Sequence, residues 1–92
     1  MNSIEAEGAY YISEGLKENR GLIELRLGCF SIDSCDLKDK GFESLSQALI
    51  ENTTLELLDL SNNSAGSKGI ISISESLKKN HSLTKLQLGK IE

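Results

Sequence analysis

Ninety-two residues suffice for one compact domain and are too few for two, so every feature below shares a single core. With 38% hydrophobic and 26% charged residues the chain is neither a disordered polyampholyte nor a membrane-spanning protein, since no apolar run approaches the ~20 residues a spanning helix needs. Ten basic against fourteen acidic side chains leave a net charge of -4, which argues against a nucleic acid partner unless the basic groups cluster on one face. The first residues, Met1-Asn2-Ser3-Ile4-Glu5, carry neither a basic segment nor an apolar stretch, so no secretory signal is expected. The two cysteines, Cys29 and Cys35, are accordingly expected as reduced thiols in a cytoplasmic protein. A disulfide between them would close so short a loop that it would constrain little.

In chain order, the first periodic segment holds Gly8-Ala9, Ile12 and Leu16, spacings of three and four that line one face of a helix. Leu22-Ile23-Glu24-Leu25-Arg26-Leu27 follows. Its first leucine anchors a turn, and the other two, two residues apart, fall on one face of a short strand. A second helical segment carries Gly41-Phe42, Leu45 and Leu49, and a second strand lies within Leu55-Glu56-Leu57-Leu58-Asp59-Leu60-Ser61-Asn62-Asn63. Gly69-Ile70, Ile73 and Leu77 mark a third helix, and Leu83-Thr84-Lys85-Leu86-Gln87-Leu88 a third strand. Asn19, Asn52 and Asn80 each follow a helical pattern by three residues, where asparagine tolerates the left-handed backbone that closes a helix.

These segments are copies of one unit. The leucine triplets beginning at Leu55 and Leu83 stand 28 residues apart, as do the helical patterns beginning at Gly41 and Gly69. The triplets at Leu22 and Leu55 differ by 33, so the middle repeat carries five extra residues between Leu27 and its helix. That arithmetic places Asn2, Cys35 and Asn63 at one equivalent position. The chain reads as one domain, 1–92, made of a partial repeat 1–21, a repeat 22–54 with the five-residue insertion, a repeat 55–82 and a partial repeat 83–92. Such a unit cannot bury its strand face and helix face alone, so copies stack. The expected fold class is α/β, an array of about three repeats with a parallel sheet on one side and helices on the other.

The segment Leu55–Asn63 fits L-x-x-L-x-L-x-x-N throughout, and with this pattern the sequence resembles the leucine-rich repeat family. The 28-residue step, the glycine before each helical triplet and Cys35 in the Asn/Cys position resemble the ribonuclease-inhibitor-like subclass. The resemblance covers nearly the whole chain. It implies a solenoid with the sheet on its concave side, and a structural ladder in which Asn2, Cys35 and Asn63 hydrogen-bond the backbone of neighbouring turns. The thiol is the weaker donor of the three. Two departures stand out: the segment 28–34, and Gly89-Lys90-Ile91-Glu92, where an asparagine is expected at position 91. The chain therefore looks like a piece of a longer array or a very short one.

The residues flanking the inward leucines form three columns across the sheet: Glu24, Leu57 and Lys85; Arg26, Asp59 and Gln87; Gly28, Ser61 and Gly89. Together the first two columns are the candidate partner site, an apolar anchor at Leu57 rimmed by charge. An alternative is that Arg26 pairs laterally with Asp59 as an ordinary surface salt bridge. Phe30 and Ile32, in the insertion, either make a contact at the rim or fold back over the core. Cys29 lacks a neighbouring group that would activate its thiol. Asp39, Lys78 and Lys79 complement helix dipoles.

His81, the single histidine, follows a helix stop and has no sequence-evident nucleophile or carboxylate partner. No metal-ligand spacing and no phosphate loop is found, so no enzyme activity, catalytic residue, metal or cofactor is expected. The function expected is a protein-protein interaction module, part of a larger protein, with an unidentified protein as partner and no membrane association. A structural segment that self-associates through its exposed repeat ends is the alternative. Regulation of a GTPase or another enzyme is a further one, by family analogy.

Overall fold

A computed structural model describes residues 5–28, 37–63 and 65–88. Helices and strands alternate: α1 (Glu5–Glu18), β1 (Glu24–Arg26), α2 (Lys38–Glu51), β2 (Leu57–Asp59), α3 (Ser67–Lys79) and β3 (Lys85–Gln87). The strands form a parallel sheet in the order β1-β2-β3, each crossover passing through a helix. α2 packs between α1 and α3, so each repeat touches only its neighbours along the stack. The expected repeat solenoid is the fold observed.

The core lies between the two layers. Leu27, Leu58 and Leu60 descend from the sheet onto Ala9, Leu16, Phe42, Leu45, Leu49 and Ile73 of the helices. Burial falls from the middle repeat outward, because only that repeat has a neighbour on both sides. Leu55 is fully buried whereas its equivalent Leu22 is 37% exposed, and Leu49 is fully buried whereas Leu77 is 40% exposed. Place in the stack, not the repeat pattern alone, thus decides how far a leading leucine or a residue of a helical triplet is buried. Leu83, Leu86 and Leu88 are half-buried against the core rather than bare, although β3 remains an edge strand.

Close helix packing explains the recurring glycine. A methyl group on Gly69 would come 2.8 Å from Asp39 Oδ1 and 3.1 Å from Phe42 Cβ, so α3 approaches α2 where only glycine fits.

Three local expectations are corrected. Asn52 (φ -82°, ψ 133°) and Asn80 (φ -90°, ψ 130°) close their helices in extended, not left-handed, backbone. Backbone bonds from their N–H groups to Ala48 and Ser76 end the helices, while their side chains bond the following turn and the preceding repeat, as described below. Asp39 does more than complement its own helix: its Oδ1 accepts the backbone N–H groups of Gly66 (2.6 Å) and Gly69 (2.9 Å), capping α3 from the neighbouring repeat. That is an inter-repeat bond, invisible to an argument along one helix. Asn2, Cys29, Phe30, Ile32, Cys35 and the 29–34 part of the insertion lie outside the described residues.

Candidate functional site: the open face of the sheet

The parallel register sets Glu24, Leu57 and Lys85 side by side, and likewise Arg26, Asp59 and Gln87, with the inward leucines Leu25, Leu58 and Leu86 between the two rows. All six predicted face residues therefore come together on the sheet face turned away from the helices, with Gly28 and Ser61 beyond them. Alternation along a strand requires this once the inward leucines are placed.

The electrostatics of the face differ from the expected lateral pair. Arg26 bonds Glu24 on its own strand (Nη2 to Oε1, 3.1 Å) and reaches past the middle strand to Gln87 (Nη1 to Oε1, 3.4 Å). Asp59 instead accepts the Ser61 backbone N–H at 3.0 Å, and a Cβ on Gly28 would lie 3.2 Å from its Oδ1. The carboxylate is held by the turn after its own strand, so the Arg26–Asp59 bridge is not formed. With both side chains of the Arg26–Glu24 pair more than half exposed, their bond adds about 0 to 1 kcal/mol, and both groups keep donor and acceptor capacity for a partner.

Leu57 is also corrected. It is 9% exposed, not an exposed anchor, because the side chains of a central strand stand between neighbours about 4.8 Å away on each side. The face is a charged and polar surface with an apolar floor.

Buried asparagines tie neighbouring repeats at two places, one after a strand, where Asn63 is the described residue, and one after the helices, where asparagines form a ladder. In the first, Asn63 donates from Nδ2 to the carbonyls of Leu27 (3.1 Å), Leu60 (3.0 Å) and Ser61 (3.3 Å), tying its repeat to the one before. The second was missed as a ladder. Asn52 Nδ2 donates to the carbonyls of Leu16 (2.9 Å) and Asn19 (3.0 Å), and its Oδ1 accepts the N–H groups of Thr54 and Leu55. Asn80 repeats the arrangement with Leu49, Asn52, Ser82 and Leu83. Asn19 uses its Oδ1 on Gly21 and Leu22 in the same way. The constant spacing of the three asparagines was the available signal; assigning them to backbone conformation obscured the bonds between repeats.

Among the described residues no group of three or more His, Cys, Asp and Glu side chains is placed to hold a metal, and no helix is long and apolar enough to cross a membrane. His81 is exposed and shares a shallow depression with Asn52, Lys79 and Asn80.

Stacked strand-and-helix units tied by buried asparagines define a leucine-rich repeat protein, and residues 51–74 match the family model described as Leucine Rich repeat. The chain is 37% identical over 78 residues to the ribonuclease inhibitor of Mus musculus, across 84% of this chain and 16% of that protein. It is 30% identical over 88 residues to NACHT, LRR and PYD domains-containing protein 5 of Homo sapiens, across 95% of this chain and 7% of that one. The chain belongs to the leucine-rich repeat family and is of the ribonuclease-inhibitor-like kind. Among solved structures, leiomodin-1 actin-binding site 2 superposes with a TM-score of 0.83 at 22% identity, over 97% of this chain and 52% of that one, a likeness of fold. The chain thus spans a small part of the curated relatives it matches. Leucine-rich repeat domains generally mediate protein-protein interaction.

Proposed function

We propose that this chain is a protein-interaction segment, working in the cytoplasm, that engages a protein partner through the open, concave-side face of its sheet. Glu24, Arg26, Asp59, Lys85 and Gln87 supply the contacts, and Leu57 supplies the apolar floor. The observation that carries this reading is the placement of both signs of charge on one face, with Arg26 held by exposed bonds to Glu24 and Gln87 that a partner's groups can replace. The solved likeness whose name records actin binding supports a protein partner in general terms.

A photo-crosslinking amino acid at Glu24 or Gln87, compared with one at Glu75 or Lys68 on α3, tests the reading in lysate of the source cells. We expect a discrete protein adduct from the sheet positions, competed by unlabelled chain and weakened by Arg26→Glu. Equal capture from the helix positions would refute it.

A further inference from the structure

Donor groups gather over one part of the open face. Arg26 stands on β1 and Gln87 on β3, so the bond from Arg26 Nη1 to Gln87 Oε1 carries the guanidinium across the middle strand. Its other end is held by Glu24, Nη2 to Oε1 at 3.1 Å. An arginine has five N–H donors, and these bonds use two of them. They also fix the use of the Gln87 amide: its oxygen is taken by Arg26, which leaves the two N–H groups of Nε2 as what it offers. Lys85 lies two residues before Gln87 on the same face of β3, about 7 Å along the strand. Its side chain is exposed and bonds none of the described residues.

The acceptors of the face are already engaged. Glu24 is bonded to Arg26, and Asp59 Oδ1 accepts the Ser61 N–H. A Cβ on Gly28 would lie 3.2 and 3.3 Å from the two Asp59 oxygens, so this carboxylate is drawn to the turn after β2 and away from Lys85. Over β2 and β3, around Leu57, the face is therefore left with N–H groups and positive charge to spare.

We propose that this part of the face is a carboxylate subsite, which takes an Asp or Glu side chain of the protein partner. The proposal rests on the open-face reading above and names the chemistry that the surface recognises. The partner's carboxylate accepts from the remaining Arg26 donors and from Gln87 Nε2, with the Lys85 ammonium closing the other side. A planar guanidinium suits the two oxygens of a carboxylate, and bonds between ionised groups are about twice as strong as neutral ones. Leu57 beneath gives the partner's methylene stem an apolar floor. A further strand beside β3 would extend the sheet sideways and leave this face open.

A glutamate decapeptide titrated at low salt into the full 92-residue chain, isotope-labelled for nuclear magnetic resonance, tests the subsite. We expect saturable shifts of the Gln87 side-chain amide and of the Lys85 and Leu57 backbone signals, and no such shifts from a glutamine decapeptide. Lys85→Ala should weaken binding about threefold, within the range of exposed ion pairs. Gln87→Glu is the sharper variant, because it keeps an acceptor for Arg26 but replaces the two N–H groups by a second oxygen; it should abolish the shifts. Lys68→Ala, on α3, should leave the affinity unchanged. No saturable shift at Gln87, shifts spread evenly over Lys68, Lys78 and Lys79, an equal response to the glutamine peptide, or unchanged binding by Gln87→Glu would each overturn the proposal. Crosslinking from Glu24 reports the open-face reading by itself. A discrete adduct there with no decapeptide site would strike out the carboxylate subsite and leave the reading standing, whereas equal capture from α3 would overturn both.

Discussion

Replacing Asn52 by alanine separates ladder bonding from helix closure. The Asn52 side chain is 1% exposed and makes four backbone bonds: two donated, to the Leu16 and Asn19 carbonyls, and two accepted, from the Thr54 (3.0 Å) and Leu55 (2.7 Å) N–H groups. Each bond contributes about 0.5 to 1.5 kcal/mol net, and each polar group left buried without a partner costs about 1 to 3 kcal/mol. With water able to reach the groups nearest the surface, Asn52→Ala should cost about 3 to 5 kcal/mol. A domain of this size has roughly 5 to 14 kcal/mol in all, so the loss is a large share of its stability. Asn19→Ala is the internal control. Asn19 is exposed and contributes only the two accepted bonds, from Gly21 (2.9 Å) and Leu22 (2.6 Å), so about 1 kcal/mol is expected. Urea unfolding followed by circular dichroism at ~222 nm measures both, with the slope of free energy on urea checked for constancy. If the two variants lie within about 0.5 kcal/mol of each other, the inter-repeat bonds do not hold the stack as argued here.

Three further perturbations probe other links. Asp39→Ala removes the cap that α2 supplies to α3 and should cost about 1 to 2 kcal/mol, while Asp39→Asn, which keeps the acceptor oxygen, should cost less than half of that by the same urea measurement. Gly69→Ala forces a methyl group against Asp39 and Phe42 and should destabilise by about 1 to 3 kcal/mol, whereas Gly15→Ala, with open space around it in an exposed helix, should stabilise by about 0.4 to 1 kcal/mol; thermal melts of the two should move in opposite directions. Leu58→Ala, at a fully buried site in the middle strand, should cost about 2 to 5 kcal/mol, clearly more than the same change at half-buried Leu86.

The architecture was legible in the sequence because spacing is a property of the chain. Leucines two residues apart must share a strand face, apolar residues three and four apart must share a helix face, and the recurrence of both after 28 or 33 residues means that units stack. The rows Glu24-Leu57-Lys85 and Arg26-Asp59-Gln87 follow from the same alternation, and the parallel register places them as expected.

What only the tertiary structure decided is which groups meet between repeats. The sequence showed that Asn52 and Asn80 recur, but their amide groups reach carbonyls of the preceding repeat, more than two dozen residues back along the chain. Asp39 was read as serving its own helix and serves the next. The row left open a lateral pair between Arg26 and Asp59, yet Asp59 is claimed by the backbone of its own turn, and Arg26 turns to Glu24 and Gln87. Leu57 was read as exposed because its alternation points it out of the core, but a central strand shelters it from both sides. Periodicity assigns each side chain to a face; the distance and direction of hydrogen bonds between stacked units, which periodicity does not carry, assign it a partner.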